Sequence, residues 1–148
     1  MDIQLIYEVP TAKDYVSLRL RSGMGSKDLQ RSEIALQNSL FTVSIYDEDK
    51  LIAFGRIVGD GGITYVVSDI MVDKNYRRKG LANLIMKALD NYFEKNTYED
   101  SYICLIANNP ADLLYSKHKF EYLSEDKCGM LRNQKNSEEQ NEKNYNTY

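Results

Sequence analysis

The chain predicts an α/β (α+β) domain: a mixed, mostly antiparallel sheet with a central parallel crossover, flanked by helices on both faces. Three observations predict it. Runs rich in β-branched and aromatic residues follow one another across short turns at 41–46, 51–58 and 63–72, the pattern of a meander. Apolar residues then switch to helical spacing at Leu81, Leu84, Ile85, Ala88, Leu89, Tyr92 and Phe93. A short continuous apolar run, 102–107, follows that helix, so strand, helix and strand form a crossover that requires parallel pairing.

Each element has its own signal. Thr11 is an N-cap for a helix over 11–21 that places Tyr15, Leu18 and Arg19 on one face. Ser22-Gly23-Met24-Gly25-Ser26 breaks it, and a second helix is expected over 28–39. The acidic turn 47–50 joins the first two strands as a hairpin, and Asp60 sits on the glycine-rich turn that leads into the third. The run 102–107 should be a strand covered on both faces. Asn109-Pro110 opens a helix to about His118, with Pro in its first turn. Segments 119–123 and 128–131 suit a closing pair of strands. From residue 133 the chain is polar without apolar period, so 1–132 reads as one domain and 133–148 as a flexible tail.

Composition narrows the function. With 148 residues the chain is long enough for a core that needs no disulfide or metal staple. A net charge of −3 argues against a nucleic-acid partner. No apolar run reaches the roughly 20 residues of a membrane span, and the first residues lack a cationic leader, so a cytoplasmic location without membrane contact is expected. Cys104, Cys128 and His118 have no metal-ligand spacing. They read as no metal site and two reduced thiols, Cys104 in the core and Cys128 near a strand.

The segment with chemistry is Val72-Asp73-Lys74-Asn75-Tyr76-Arg77-Arg78-Lys79-Gly80-Leu81-Ala82. A strand ends, a basic loop follows, and small residues stand where the long helix begins. The free N–H groups of a helix start, with Arg77, Arg78 and Lys79 around them, make a site for an anion such as pyrophosphate. The alternative is a tight turn at Gly80 beside a solvated basic edge. The G-x-x-x-x-G-K-[ST] spacing of nucleotide phosphoryl transfer is absent.

Arg77-Arg78-Lys79-Gly80-Leu81-Ala82 resembles the [RQ]-x-x-G-x-[GA] loop with which the GNAT superfamily of N-acetyltransferases binds the pyrophosphate of acetyl-CoA. Asn108-Asn109-Pro110-Ala111-Asp112-Leu113-Leu114-Tyr115 resembles that family's N-x-x-A-x-x-[LF]-Y helix. Ser116-Lys117-His118-Lys119-Phe120 stands where the family usually reads E-K-L-G-F, so Lys119 occupies a glycine position. Ala53-Phe54-Gly55-Arg56 also looks like the strand before the cofactor strand. The two motifs span about 63–123, and the whole is most similar to bacterial small-molecule-type members.

The resemblance implies direct transfer of acetyl from the thioester to a primary amine, with acetyl-CoA as cosubstrate and no metal. It implies that the backbone of Ile70, Met71 and Val72 pairs with the pantetheine arm, the Val72 N–H polarising the thioester carbonyl. The N–H groups of Arg77, Arg78, Lys79, Gly80, Leu81 and Ala82 then take the phosphates. Asn108 either binds the arm or caps the next helix. Tyr115 is the implied general acid, against the alternative of a packing tyrosine. Asp69 lies within an apolar strand, where a carboxylate is costly unless paired or functional. It is either base or amine anchor, or a salt-bridged structural group. The acceptor pocket would gather around Tyr15, Arg19, Met24, Phe41 and Met130. Late strands in this family often pair between subunits, which leaves both a monomer and a homodimer open. Other readings are a non-catalytic acyl-CoA sensor and a protein N-terminal or lysine acetyltransferase.

Overall fold

The structure is a computed structural model that describes residues 2–134; most of the predicted tail, 135–148, lies outside the described residues. The element order is β1 (Ile3–Ile6), α1 (Ala12–Ser22), α2 (Leu29–Gln37), β2 (Phe41–Asp47), β3 (Lys50–Gly59), β4 (Thr64–Val72), α3 (Leu81–Asn96), β5 (Tyr102–Cys104) and α4 (Asp112–Ser116). The five strands lie in sequence order in one sheet. β1 to β4 pair antiparallel, and β4–β5 is the parallel pair that the crossover requires.

Helices cover both faces. On one, Tyr15, Leu18 and Leu36 from α1 and α2 pack with Leu51, Phe54 and Met71 of the sheet. On the other, Leu81, Ile85, Met86, Ala88, Leu89 and Phe93 of α3 pack with Val43, Ile45, Ile52, Ala53 and Ile57. β3 is therefore buried on both sides from Leu51 to Gly55, and each large aliphatic it buries contributes roughly 1.5–3 kcal/mol. α1 is fixed at both ends. Thr11 Oγ1 accepts from the Asp14 N–H, and Gly23, at φ +86°, closes a Schellman turn in which the Met24 N–H donates to the Arg19 carbonyl.

Several expectations need correction. β1 went unpredicted, because four residues carry no period of their own and are ordered by pairing with β2. The run 102–107 is not a doubly covered strand. Only Tyr102–Cys104 pairs, exposure alternates along it, and Cys104 is exposed rather than in the core, because β5 is the sheet's edge. The closing strands do not form: 120–134 has no strand among the described residues, and 121–134 is exposed throughout. α4 is shorter than 109–118, because turns whose carbonyls accept at Asn108 and Pro110 precede it.

Candidate active site

The site follows from where β4 and β5 part. Their ladder covers only Thr64–Tyr102, Tyr65–Ile103 and Val66–Cys104. Beyond it β4 runs on to Val72 with no strand on that side among the described residues, so the backbone edge from 67 to 72 is open. On its other side, the same stretch of β4 carries a bulge against β3. Phe54 pairs with Met71 and Arg56 with Ser68, which leaves Asp69 and Ile70 opposite Gly55 alone. Asp69 takes a left-handed φ of +58° there. Gly55 is required beneath it, since a Cβ would stand 2.6 Å from Ile85 Cγ2 and 2.7 Å from Ile70 Cδ1. The resulting cleft, about 1000 Å³, is lined by 66–72 of β4, by 22–24, by 76–78 and 80–83, by Leu105, Ile106 and 108–111, and by Leu114 and Tyr115.

The basic loop closes one end of this cleft. Asp73 caps a single 3-10 turn, Lys74–Tyr76, and the chain then turns through left-handed residues at Arg78 (φ +63°) and Gly80 (φ +78°). Gly80 is the N-cap of α3, and the first bond back to it comes from the Leu84 N–H at 3.1 Å. The N–H groups of Leu81, Ala82 and Asn83 thus have no acceptor within the helix and carry its positive end. A Cβ on Gly80 would meet nothing within 4 Å, so the space above this helix start is open. Arg78 and Lys79 are exposed around it. Arg77 is differently placed: its Nη2 donates to the Ser22 carbonyl at 2.9 Å, tying the loop to the end of α1.

The opposite wall carries Tyr115 and Asn108. Tyr115 is half-buried, its ring edge-on to Phe120 at 6.2 Å, and among the described residues nothing hydrogen-bonds its hydroxyl. Burial raises its phenol above the ordinary value of 10, so the group keeps its proton at neutral pH. Asn108 also lines the cleft, and α4 has Ala111 as N-cap with no side-chain bond, so Asn108 does not cap it.

Asp69 is salt-bridged on both of its oxygens. Arg19 Nη1 donates to Oδ1 at 2.9 Å; Arg56 Nε at 2.7 Å and the Tyr15 hydroxyl at 2.6 Å donate to Oδ2. Burial, then the carboxylate beside it, raises the Tyr15 phenol and keeps it a donor. Arg19 continues to the Gly25 and Met24 carbonyls, both at 3.0 Å, so one guanidinium joins α1, the following loop and the bulge.

The structure brings together on this cleft Asp69, Ile70, Met71, Val72, Arg77, Arg78, Gly80, Leu81, Ala82, Asn108 and Tyr115, with Lys79 in the same loop. The expected acceptor pocket is only partly there. Met24 lines the cleft, whereas Tyr15 and Arg19 are buried behind Asp69. Phe41 instead stacks on Tyr92 at 4.9 Å, and Met130 is 88% exposed, away from the cleft lining. Sequence reasoning missed Asn83, whose place in the first turn of α3 could have suggested it, and Ser22 and Gly23, which gave no signal. Among the described residues no group of carboxylates, histidine and cysteines is placed to hold a metal, and no helix is long and apolar enough to cross a membrane.

The sequence profile of the acetyltransferase (GNAT) domain matches residues 19–129. Among solved structures, a probable acetyltransferase from methicillin-resistant Staphylococcus aureus is 40% identical, with a TM-score of 0.84 over 88% of this chain and 98% of that one. A GNAT-family acetyltransferase from Streptococcus pneumoniae is 26% identical, with a TM-score of 0.74 over 90% and 98%. Glucosamine-6-phosphate N-acetyltransferase from Arabidopsis thaliana, at 14% identity and a TM-score of 0.70 over 90% and 99%, shares the fold. Among curated proteins, no sequence matches the chain.

Proposed function

The chain belongs to the GNAT acetyltransferase family, and from that premise we propose that it transfers acetyl directly from acetyl-CoA to a primary amine of a small molecule. The observation that carries the reading is the cleft itself. One opening holds an uncovered strand edge, a helix start with free N–H groups and a half-buried phenol that has no hydrogen-bond partner among the described residues.

The residues fit the cosubstrate. Leu81, Ala82 and Asn83 offer N–H groups and Arg78 and Lys79 offer charge to its phosphates, over a Gly80 with open space above it. The open edge of Ile70, Met71 and Val72 offers backbone partners to its amide-bearing arm, and Asn108 offers a side-chain amide from the facing wall. When bound, acetyl-CoA supplies the acetyl thioester. The Val72 N–H polarises the carbonyl, and the amine nitrogen bonds to the carbonyl carbon as the carbon–sulfur bond breaks. Tyr115 gives its Oη proton to the departing sulfur. Asp69, with three donors on its oxygens, holds the bulge rather than taking the amine proton, which leaves to water. A small acceptor suits the N-terminal mouth, where Arg19 and Arg77 brace the short loop beginning at Ser22.

Incubation of the protein with acetyl-CoA and a panel of amines, read as free thiol, tests this proposal. Thiol release with at least one small amine is expected. Saturating acetyl-CoA should also raise the melting temperature by several degrees, since a hundredfold excess over the dissociation constant adds about 2.7 kcal/mol. A melting shift without thiol release from any amine or peptide would make the domain an acyl-CoA sensor. No shift at all would remove the cosubstrate.

A further inference from the structure

The only histidine of the chain lies between α3 and the end of α4. His118 is 9% exposed, just beyond α4. Its Nδ1 is 3.0 Å from Asp90 Oδ2, and its Nε2 is 2.7 Å from Asn83 Oδ1, so the ring bridges two positions of α3 that are about two turns apart. A carboxylate oxygen only accepts, so Nδ1 carries a proton. Asn83 lies in the first turn of α3 and lines the cleft. On the other side, the His118 N–H donates to the Tyr115 carbonyl at 2.9 Å. One residue, through its ring and its backbone N–H, thus links the helix start that would hold phosphate to the residue that would deliver the proton.

α4 has little else to fix it. It has five residues, no side-chain cap, and no strand after it among the described residues. Leu114, Tyr115 and Phe120 pack only partly buried against the core. The other polar tie to α3 among the described residues is the exposed pair Lys119–Glu94 at 3.7 Å, which holds little. Lys119, next to the ring, sits at a left-handed φ of +71°.

We propose that His118 is a positioning residue that, bridging Asn83 and Asp90 of α3, holds the Tyr115 segment over the cleft. This rests on the reading of Tyr115 as the proton donor. Its test uses Asp90→Ala, since Asp90 is outside the cleft lining and is not a core residue, together with His118→Gln, the double variant and Asp90→Asn. In the free enzyme, NMR should show a protected imidazole Nδ1–H that Asp90→Ala abolishes, with faster amide exchange at 115–120. In turnover, Asp90→Ala and His118→Gln should each lower kcat about tenfold, the scale of a misplaced catalytic group, while acetyl-CoA affinity and the KM for amine stay within about twofold. The double variant should be no slower than the slower single one. Asp90→Asn, which keeps an oxygen acceptor, should retain most of the rate.

Unchanged amide exchange in Asp90→Ala would overturn the proposal, as would effects on kcat that multiply or that follow acetyl-CoA affinity. If Tyr115→Phe turned over as fast as wild type, the acid assignment would fall and the positioning claim with it. If Tyr115→Phe were slow but Asp90→Ala normal, only the positioning claim would fall.

Discussion

The two walls of the cleft are held by different forces. On the N-terminal wall, α1 lays Tyr15 and Arg19 on Asp69, and Arg21 on Asp73. The side chains of Arg19 and Asp69 are each 8% exposed, and Asp73 is 1% exposed. On the C-terminal wall, Tyr115 stands on a five-residue helix that rests on partly buried apolar contacts and one imidazole. The first wall is over-determined, with Asp69 and Asp73 each paired to arginine; the second is lightly tethered. In such a site, damage to the first wall should appear as lost stability, and damage to the second as lost rate.

The largest stability effect should come from Asp69→Asn. It leaves Arg19 and Arg56 without their carboxylate in a buried place, and breaking such a pair costs about 4 kcal/mol. A fall in melting temperature of more than about 10 °C is expected. A fall of only a degree or two would mean that the first wall is as loosely held as the second.

That network marks the limit of what could be read in advance. The loop at Arg77–Ala82, the α3 stripe and Tyr115 were legible because local periods and two motifs carry them. Asp69's partners were not, because Arg19 and Arg56 lie 50 and 13 residues away and only folding brings them together. The apolar run 102–107 suggested burial on both faces, yet nothing in its letters says that no strand follows outside it. At Lys119, by contrast, the departure from glycine left open a different turn or an unusual backbone, and the residue has the left-handed φ of +71°.

A smaller effect on the same wall is expected from Asp73→Asn. Burial works against the Asp73 charge, but the Asn75 N–H and the Arg21 guanidinium outweigh it and hold the carboxyl below its usual 3.8. A depressed value stabilises the fold above the unfolded-state value, and that stability is lost as pH falls through the folded-state value. The variant should therefore lose about 2 kcal/mol at neutral pH, with the gap to wild type closing below about pH 4. Melting curves of both proteins between pH 7 and 3 check this, and a gap independent of pH would contradict it.

The smallest effect belongs to the second wall. Lys119→Gly relieves a left-handed residue at φ +71° and should raise stability by about 1 kcal/mol, or roughly 3 °C in melting temperature. A lower melting temperature would show that the surface pair with Glu94 outweighs the strain.

The contrast between the walls rests finally on Tyr115, which the second wall exists to present. The direct measurement is single-turnover acetyl transfer by Tyr115→Phe against wild type, with acetyl-CoA affinity determined in parallel. The ring and its packing on Phe120 remain, while the one proton the residue can give is gone. The rate should fall about 10²-fold at unchanged affinity. Because burial holds the phenol above 10, the wild-type rate should decline only as pH rises through that raised value, and the variant should lack this decline. Equal rates in the two proteins, with transfer itself limiting, would contradict the account and return Tyr115 to the packing residues.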